Sequence, residues 1–162
     1  MKIRKANVND IESMLQIYNY EVLNGTATLD LKPKSLDEWT SWYNKHTENH
    51  PIIIAEDSEL MGYASLSEYR EKEAYSSTVE LSVYVSNKYR NRGVATELMK
   101  NILDIAKNDS TTHMVISVIT SGNEASKRLH EKFGFKFCGT IHEVGCKFGK
   151  FQNIENYELI IN

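Results

Sequence analysis

The feature that most constrains this chain is the passage from Thr78 to Ala106. Val79, Leu81, Val83 and Val85 alternate with Glu80, Ser82 and Tyr84, the period of two expected of a strand with one buried face. The strand runs into a loop bearing Lys88, Arg90 and Arg92. Gly93 then opens an amphipathic helix, in which Val94, Ala95, Leu98, Met99, Ile102, Leu103 and Ala106 oppose Glu97, Lys100, Asn101 and Asp104. Such a junction has a chemical capacity. Free N–H groups at a helix start bind phosphate, and the helix dipole adds about half a positive charge. Gly93 lets a ligand approach the backbone closely. The cationic side chains add charge-assisted hydrogen bonds. A diphosphate ligand fits this loop. It is neither a G-K-[ST] phosphate loop nor the three-glycine dinucleotide fingerprint. On these residues alone it also reads as a solvated turn.

The flanking patterns supply the other elements. Met1 to Lys5 alternates as an edge strand. Ile11, Met14, Leu15, Tyr18 and Val22 share one helical face, with Asn9 as N-cap and Asn24-Gly25 as the stop. Ser35 and Glu38 form a capping box before a helix whose buried face takes Leu36, Trp39, Trp42 and Tyr43. Ile52 to Ala55 and Leu60 to Ser67 read as a hairpin. Met114 to Ile119 reads as a strand covered on both faces. Ser121 and Glu124 suggest a second capping box, before a helix that Gly134 ends. Phe135 to Val144 and Ile154 to Ile161 complete the strands. The expected order is β-α-α-β-β-β-α-β-α-β-β. That is an α/β (mixed α+β) chain with a central, mostly antiparallel twisted sheet of six to seven strands and about four helices.

Composition narrows the function classes. The 162 residues suit one domain, residues 1–162, with enough core to fold without disulfide or metal. A formal net charge of -3 disfavours nucleic acid or an anionic membrane as partner. There is no apolar run of membrane-spanning length, and the polar start does not resemble a signal peptide. Cys138 and Cys146 are too far apart for a metal knuckle and read as free thiols of a reducing compartment, so the expected location is cytoplasmic. His46 and His50 are spaced i, i+4, but Thr47 stands where a zinc protease needs glutamate, and no metal is expected.

Arg90-x-x-Gly93-x-Ala95 resembles the R-x-x-G-x-G/A signature that holds the coenzyme A pyrophosphate in the GNAT superfamily. The run from Thr78 (T-V-E-L-S-V-Y-V-S), that from Asn123 (N-E-A-S-K-R-L-H-E-K-F-G-F) and that from Val144 (V-G-C-K-F-G-K-F) resemble its phosphinothricin and methionine-sulfone N-acetyltransferase branch, over nearly the whole chain.

The resemblance implies acetyl-CoA as acyl donor, direct transfer in a ternary complex, a small amino-acid-like amine as acceptor, and a homodimer whose partner helps close the pocket. It implies coenzyme contacts from Val83, Tyr84 and Val85 at the pantetheine arm, and from Arg90, Asn91, Arg92, Gly93, Val94, Ala95 and Thr96 at the pyrophosphate. Asn123 would meet the pantetheine amides and Lys132 the nucleotide end. Glu80 matches the general base. The chemistry needs one, because an amine with pKa near 10 is only about one part in a thousand neutral at pH 7. His130 stands where many relatives place a tyrosine that protonates the departing thiolate. As bare patterns, Glu80 reads as a polar strand residue and His130 as a hydrogen-bonded core residue. Tyr69 and Arg70 match an aromatic–arginine pair at the substrate, the guanidinium suiting a carboxylate. Phe148 replaces a histidine found in some phosphinothricin enzymes, which leans towards a less polar amino-acid analogue. The rivals are a peptide N-terminus or polyamine as acceptor, and a non-catalytic acyl-CoA sensor.

Overall fold

The computed structural model describes residues 1–47 and 49–162. Its elements are β1 (Lys2–Lys5), α1 (Ile11–Asn24), α2 (Leu36–Asn44), β2 (Ile52–Glu56), β3 (Leu60–Glu68), β4 (Thr78–Val85), α3 (Val94–Asn108), β5 (Met114–Thr120), α4 (Glu124–Lys132), β6 (Lys136–Lys147) and β7 (Lys150–Ile160). Their order is the one read from the pattern. The strands form a seven-stranded sheet in the order β1-β2-β3-β4-β5-β7-β6. Every neighbouring pair is antiparallel except β4–β5, which is parallel. That exception follows from connectivity: α3 carries the chain from the end of β4 back to the start of β5.

Each face of the sheet has its own core. On one, Ala64, Leu66, Val79, Leu81 and Val115 pack beneath Leu98, Met99 and Ile102 of α3. On the other, Ile52, Ile54 and Tyr63 pack beneath Met14, Leu15 and Trp39 of α1 and α2. The period-two alternation of β3 and β4 divides their residues between these faces. Ile102 is fully buried, and its truncation to alanine costs about 2–5 kcal/mol.

Several local expectations are corrected. Asn9 does not cap α1; Asn7 caps the short 3-10 turn Val8–Asp10 that leads into the helix. The Asn7 side chain accepts the Asn9 N–H at 2.9 Å, and the Asp10 carboxylate accepts the Asn7 N–H at 2.8 Å. Burial pushes the Asp10 carboxyl up, yet Arg4 and the Asn7 N–H hold it below its ordinary value. The cap of α4 is Asn123, which accepts the Ser126 N–H at 3.2 Å. Ser121 lies two residues before that cap, separated from it by Gly122 at φ 99°, and its N–H is bonded to the Asn153 carbonyl of β7. Leu36 is exposed. β5 is covered on one face only, since Val118 opens onto a cleft. The last hairpin extends to Lys147 and Lys150 because Phe148 (φ 55°) and Gly149 (φ 69°) form a tight two-residue turn. The box of Ser35 and Glu38 is present as expected.

Candidate active site

The parallel pair β4–β5 is short. It pairs Thr78 with Met114, Val79 with Val115 and Glu80 with Ile116. Beyond that, Leu81–Val85 and Ser117–Thr120 run on without pairing to each other. The sheet forks at Glu80. Between the tines, backbone polar groups lack a ladder partner, and such groups seek another one.

The start of α3 follows β4 after a short loop. Gly93 caps it in the left-handed region at φ 78° and supplies no side-chain bond, so first-turn N–H groups stay free. A Cβ at Gly93 would meet nothing within 4 Å, which leaves the backbone open to a ligand. Asn91 also has positive φ, 62°, a conformation asparagine tolerates. The Arg92 guanidinium lies 5.5 Å from the Tyr89 ring centre. Arg90 is ion-paired with Glu21 of α1. The loop thus combines free N–H groups, an unobstructed glycine and two guanidinium groups, a donor set that fits a pyrophosphate. Val83 and Val85 turn their side chains to the α3 core, whereas Tyr84 turns its ring to the opposite face.

That opposite face carries a cleft of about 830 Å³. Its floor is three cross-strand pairs, Tyr63–Tyr84, Ser65–Ser82 and Ser67–Glu80. Trp39 and Trp42 of α2 line it, with Thr28 and Asp30 from the α1–α2 loop and Val118 and Thr120 from the other tine. Glu80 is half-buried and makes no hydrogen bond or ion pair among the described residues. Burial alone raises its carboxyl above the ordinary value. A carboxylate with a raised pKa and no partner is suited to take a proton from an amine.

The α1–α2 loop is held from a distance. Lys147, buried near the end of β6, donates to the Thr28 carbonyl at 2.8 Å and the Glu21 carbonyl at 3.4 Å. Burial lowers the pKa of its ammonium. The residue stands in the V-G-C-K-F-G-K-F run, where its long reach to another element leaves no local trace.

His130 is buried beneath α4, away from the cleft face. Its Nδ1–H donates to the Ser126 carbonyl at 2.7 Å, and its Nε2 accepts from the Ser117 hydroxyl at 2.7 Å. Burial lowers its pKa. Burial thus favours the neutral ring, in which Nδ1 carries the proton and Nε2 is the acceptor. Ser117 is the first β5 residue past the fork, so its hydroxyl links His130 to the strand at the gap. Asn123 and Lys132 are exposed at the two ends of α4, with the Asn123 carbonyl oxygen engaged in capping. Tyr69 and Arg70 lie just past β3, and Arg70 is exposed and packs over Tyr69 and Tyr75 at 4.9 and 5.7 Å. The structure does not bring Arg70 into the cleft lining. It places Trp39, Tyr63, Ser65 and Lys45 there instead. The readable signal was the serines at inward positions of β3, where a core strand would carry apolar residues.

The forked mixed sheet thus carries an anion-ready helix start on one side of the fork and a carboxylate-floored cleft on the other. The chain belongs to the GNAT acetyltransferase family: residues 15–135 match the model described as "Acetyltransferase (GNAT) family". It is 35% identical to the phosphinothricin N-acetyltransferase of Streptomyces coelicolor, over 98% of this chain and 95% of that one. It is equally 35% identical to the L-methionine sulfoximine/L-methionine sulfone acetyltransferase of Pseudomonas aeruginosa, over 97% of this chain and 92% of that one. The crystal structure of a GNAT superfamily phosphinothricin acetyltransferase from Sinorhizobium meliloti in complex with acetyl-CoA superposes with a TM-score of 0.95 at 29% identity, covering 99% of this chain and 88% of that one. This protein is thus an N-acetyltransferase related to enzymes that act on phosphinothricin and methionine sulfoximine.

Proposed function

We propose that residues 1–162 form one catalytic domain that transfers the acetyl group of acetyl-CoA directly to the primary amine of a small amino-acid-like substrate, both being bound at once. The observation that carries this reading is Glu80. It stands at the fork, unpaired, on the floor of a cleft sized for a small molecule. The names of the relatives support an amino-acid analogue as acceptor.

In this reading the N–H groups of Gly93 to Thr96, with Arg90, Asn91 and Arg92, hold the pyrophosphate, and Arg90 exchanges Glu21 for phosphate. The open edge of Val83 to Val85 holds the pantetheine arm and presents N–H groups to the developing oxyanion. Asn123 and Lys132 serve the pantetheine amides and the nucleotide end. The thioester supplies the activated acetyl group. Glu80 takes the ammonium proton, directly or through a water, a step that contributes ~100- to 10,000-fold. The neutral state of His130 favours water as the proton donor to the thiolate; His130 then orients Ser117 at the gap. Tyr69 and Arg70 hold the substrate carboxylate after the 69–75 loop folds towards the cleft. Exposed apolar side chains on the last hairpin, among them Phe137, Ile141, Val144 and Phe151, support a homodimer through that hairpin. Two exposed free cysteines suit a reducing, cytoplasmic setting.

The test is a transfer screen read by release of free coenzyme A thiol. It compares amino acids, their sulfones and sulfoximines, phosphinothricin, polyamines and peptides. Turnover confined to the amino-acid analogues supports the reading. Turnover confined to peptides or polyamines replaces it, and coenzyme binding without any turnover points to a sensor.

A further inference from the structure

The ring of His46 fixes the direction of a hydroxyl at the acceptor cleft. Its Nδ1 lies 2.7 Å from the Trp42 carbonyl oxygen, and its Nε2 lies 2.8 Å from Ser67 Oγ. A carbonyl oxygen only accepts, so Nδ1 carries a proton. Burial lowers the pKa of the ring and favours its neutral form. Nε2 is then the acceptor, and the Ser67 hydroxyl donates to it. The Trp42 ring packs against His46 at 4.5 Å between centres and stacks on Trp39 at 4.4 Å, which holds the imidazole in place.

The consequence lies in what Ser67 has left. Its one hydroxyl proton is spent on His46, so its oxygen offers only lone pairs to the cleft that it lines. Ser67 is also the cross-strand partner of Glu80, and both line the same cleft. Directly opposed side chains have Cβ atoms about 5 Å apart. An ionised carboxylate likewise only accepts. Two acceptors thus stand side by side on the cleft floor, and a group that bridges them must bring at least two donor hydrogens. An ammonium group has three and a neutral primary amine two. Charge agrees. Glu80, Asp30 and Glu38 line the cleft as carboxylates; of its two lysines, Lys34 is shared between Asp30 at 3.7 Å and Glu38 at 3.9 Å, and Lys45 is exposed to solvent.

We propose that Ser67 binds the acceptor amine beside Glu80, and that His46 is a positioning residue that keeps the Ser67 oxygen an acceptor. The proposal rests on the reading above, in which an amino acid is acetylated at its amine. Glu80 takes one proton from the nitrogen. Ser67 accepts a hydrogen bond from a second N–H, the one that the product amide retains. Two fixed N–H directions constrain the lone pair that forms between them. His46 lies outside the cleft lining and acts only through the hydroxyl.

The experiment separates the amino group from the rest of the substrate. The probe is L-methionine sulfone, or phosphinothricin where that is the better acceptor. Its competitor is the same molecule with hydrogen in place of the amino group. KM and kcat for the amine and Ki for the desamino analogue are measured near pH 7 in the wild type, Ser67→Ala, His46→Leu and His46→Gln. Ser67→Ala raises KM for the amine roughly 10- to 100-fold, the loss of one charged hydrogen bond. It moves kcat less than threefold, because the contact is made in the ground state as well. Ki for the desamino analogue also moves less than threefold. His46→Leu raises KM in the same direction, and His46→Gln, whose amide oxygen accepts from the same hydroxyl, restores most of the loss. Wild-type acetyl-CoA affinity shows that a variant is folded. KM and Ki raised together, or neither raised, in Ser67→Ala overturns the amine contact and leaves the acetyltransferase reading intact. His46→Gln as impaired as His46→Leu overturns the role of His46. Failure to acetylate any amino acid overturns the reading on which the proposal rests.

Discussion

Gly93 offers a substitution whose two effects can be calculated separately. Its φ of 78° lies in the left-handed region, and a Cβ there meets nothing within 4 Å. Gly93→Ala therefore creates no clash within the protein. Its cost to the free enzyme is conformational, about 1–2 kcal/mol for placing an ordinary residue in that region. For a chain of this size that lowers the melting temperature by roughly 2–8 °C. Asparagine tolerates the conformation, so Gly93→Asn lowers it less. The coenzyme responds differently. Either side chain occupies the space through which the pyrophosphate reaches the α3 N–H groups, and each displaced charge-assisted bond is worth ~1.5–3 kcal/mol. Acetyl-CoA affinity, measured by calorimetry on the folded variants, falls ~10- to 100-fold for both substitutions, although their stabilities differ. Wild-type affinity in Gly93→Asn would refute the reasoning, because it would show that the pyrophosphate does not approach this backbone.

Three further outcomes follow from other parts of the structure. Lys147→Met removes the ammonium that holds the Thr28 carbonyl; steady-state kinetics show a KM for the amine raised about tenfold, one charged hydrogen bond, with acetyl-CoA affinity unchanged. Arg70→Ala raises KM ~10- to 100-fold for carboxylate-bearing amines only, and equal losses on amines without a carboxylate remove the clamp. His46 and His130 are both held below their ordinary pKa by burial. The unfolded chain therefore binds more protons below about pH 6.5. Their contribution is present above that pH and is lost as pH falls through the folded values. Urea titrations show stability falling on acidification from pH 7 to 5, and His46→Gln flattens that slope.

The order of elements was legible because strong periods carried it: the alternation of Val79 to Val85 and the apolar stripe of α3 admit few other readings. The capping box of Ser35 was legible because both partners are local. Asn7 and Asn123 were missed as caps because their neighbours Asn9 and Ser121 are equally good residue types, and the choice between them is made by Arg4 holding Asp10 and by β7 holding Ser121. The loop at Gly93 showed a capacity for phosphate that a solvated turn shares, and Glu80 was marked as a base only by the resemblance to the family. The acceptor cleft did not. Its residues come from α1, α2, β3, β4, β5 and β7, and no local pattern announces a set assembled by topology. Trp39 and Trp42 read as core at helical spacing. Trp39 is core, yet its indole nitrogen stays unpaired at the cleft. Arg70 lies outside the cleft lining, in an exposed stack with Tyr69 and Tyr75 that the sequence did not announce.

The central claim is that Glu80 takes the amine proton. Glu80→Gln keeps the shape of the side chain and removes its basicity. The decisive measurement is kcat against pH for the wild type and Glu80→Gln, under conditions where chemistry limits the rate. We expect kcat to fall ~100-fold or more near pH 7, with acetyl-CoA affinity unchanged. The defect shrinks towards pH 10, where the amine is already neutral. A Glu80→Gln enzyme with near-normal kcat at pH 7, or with a defect that stays constant across the pH range, would contradict the account.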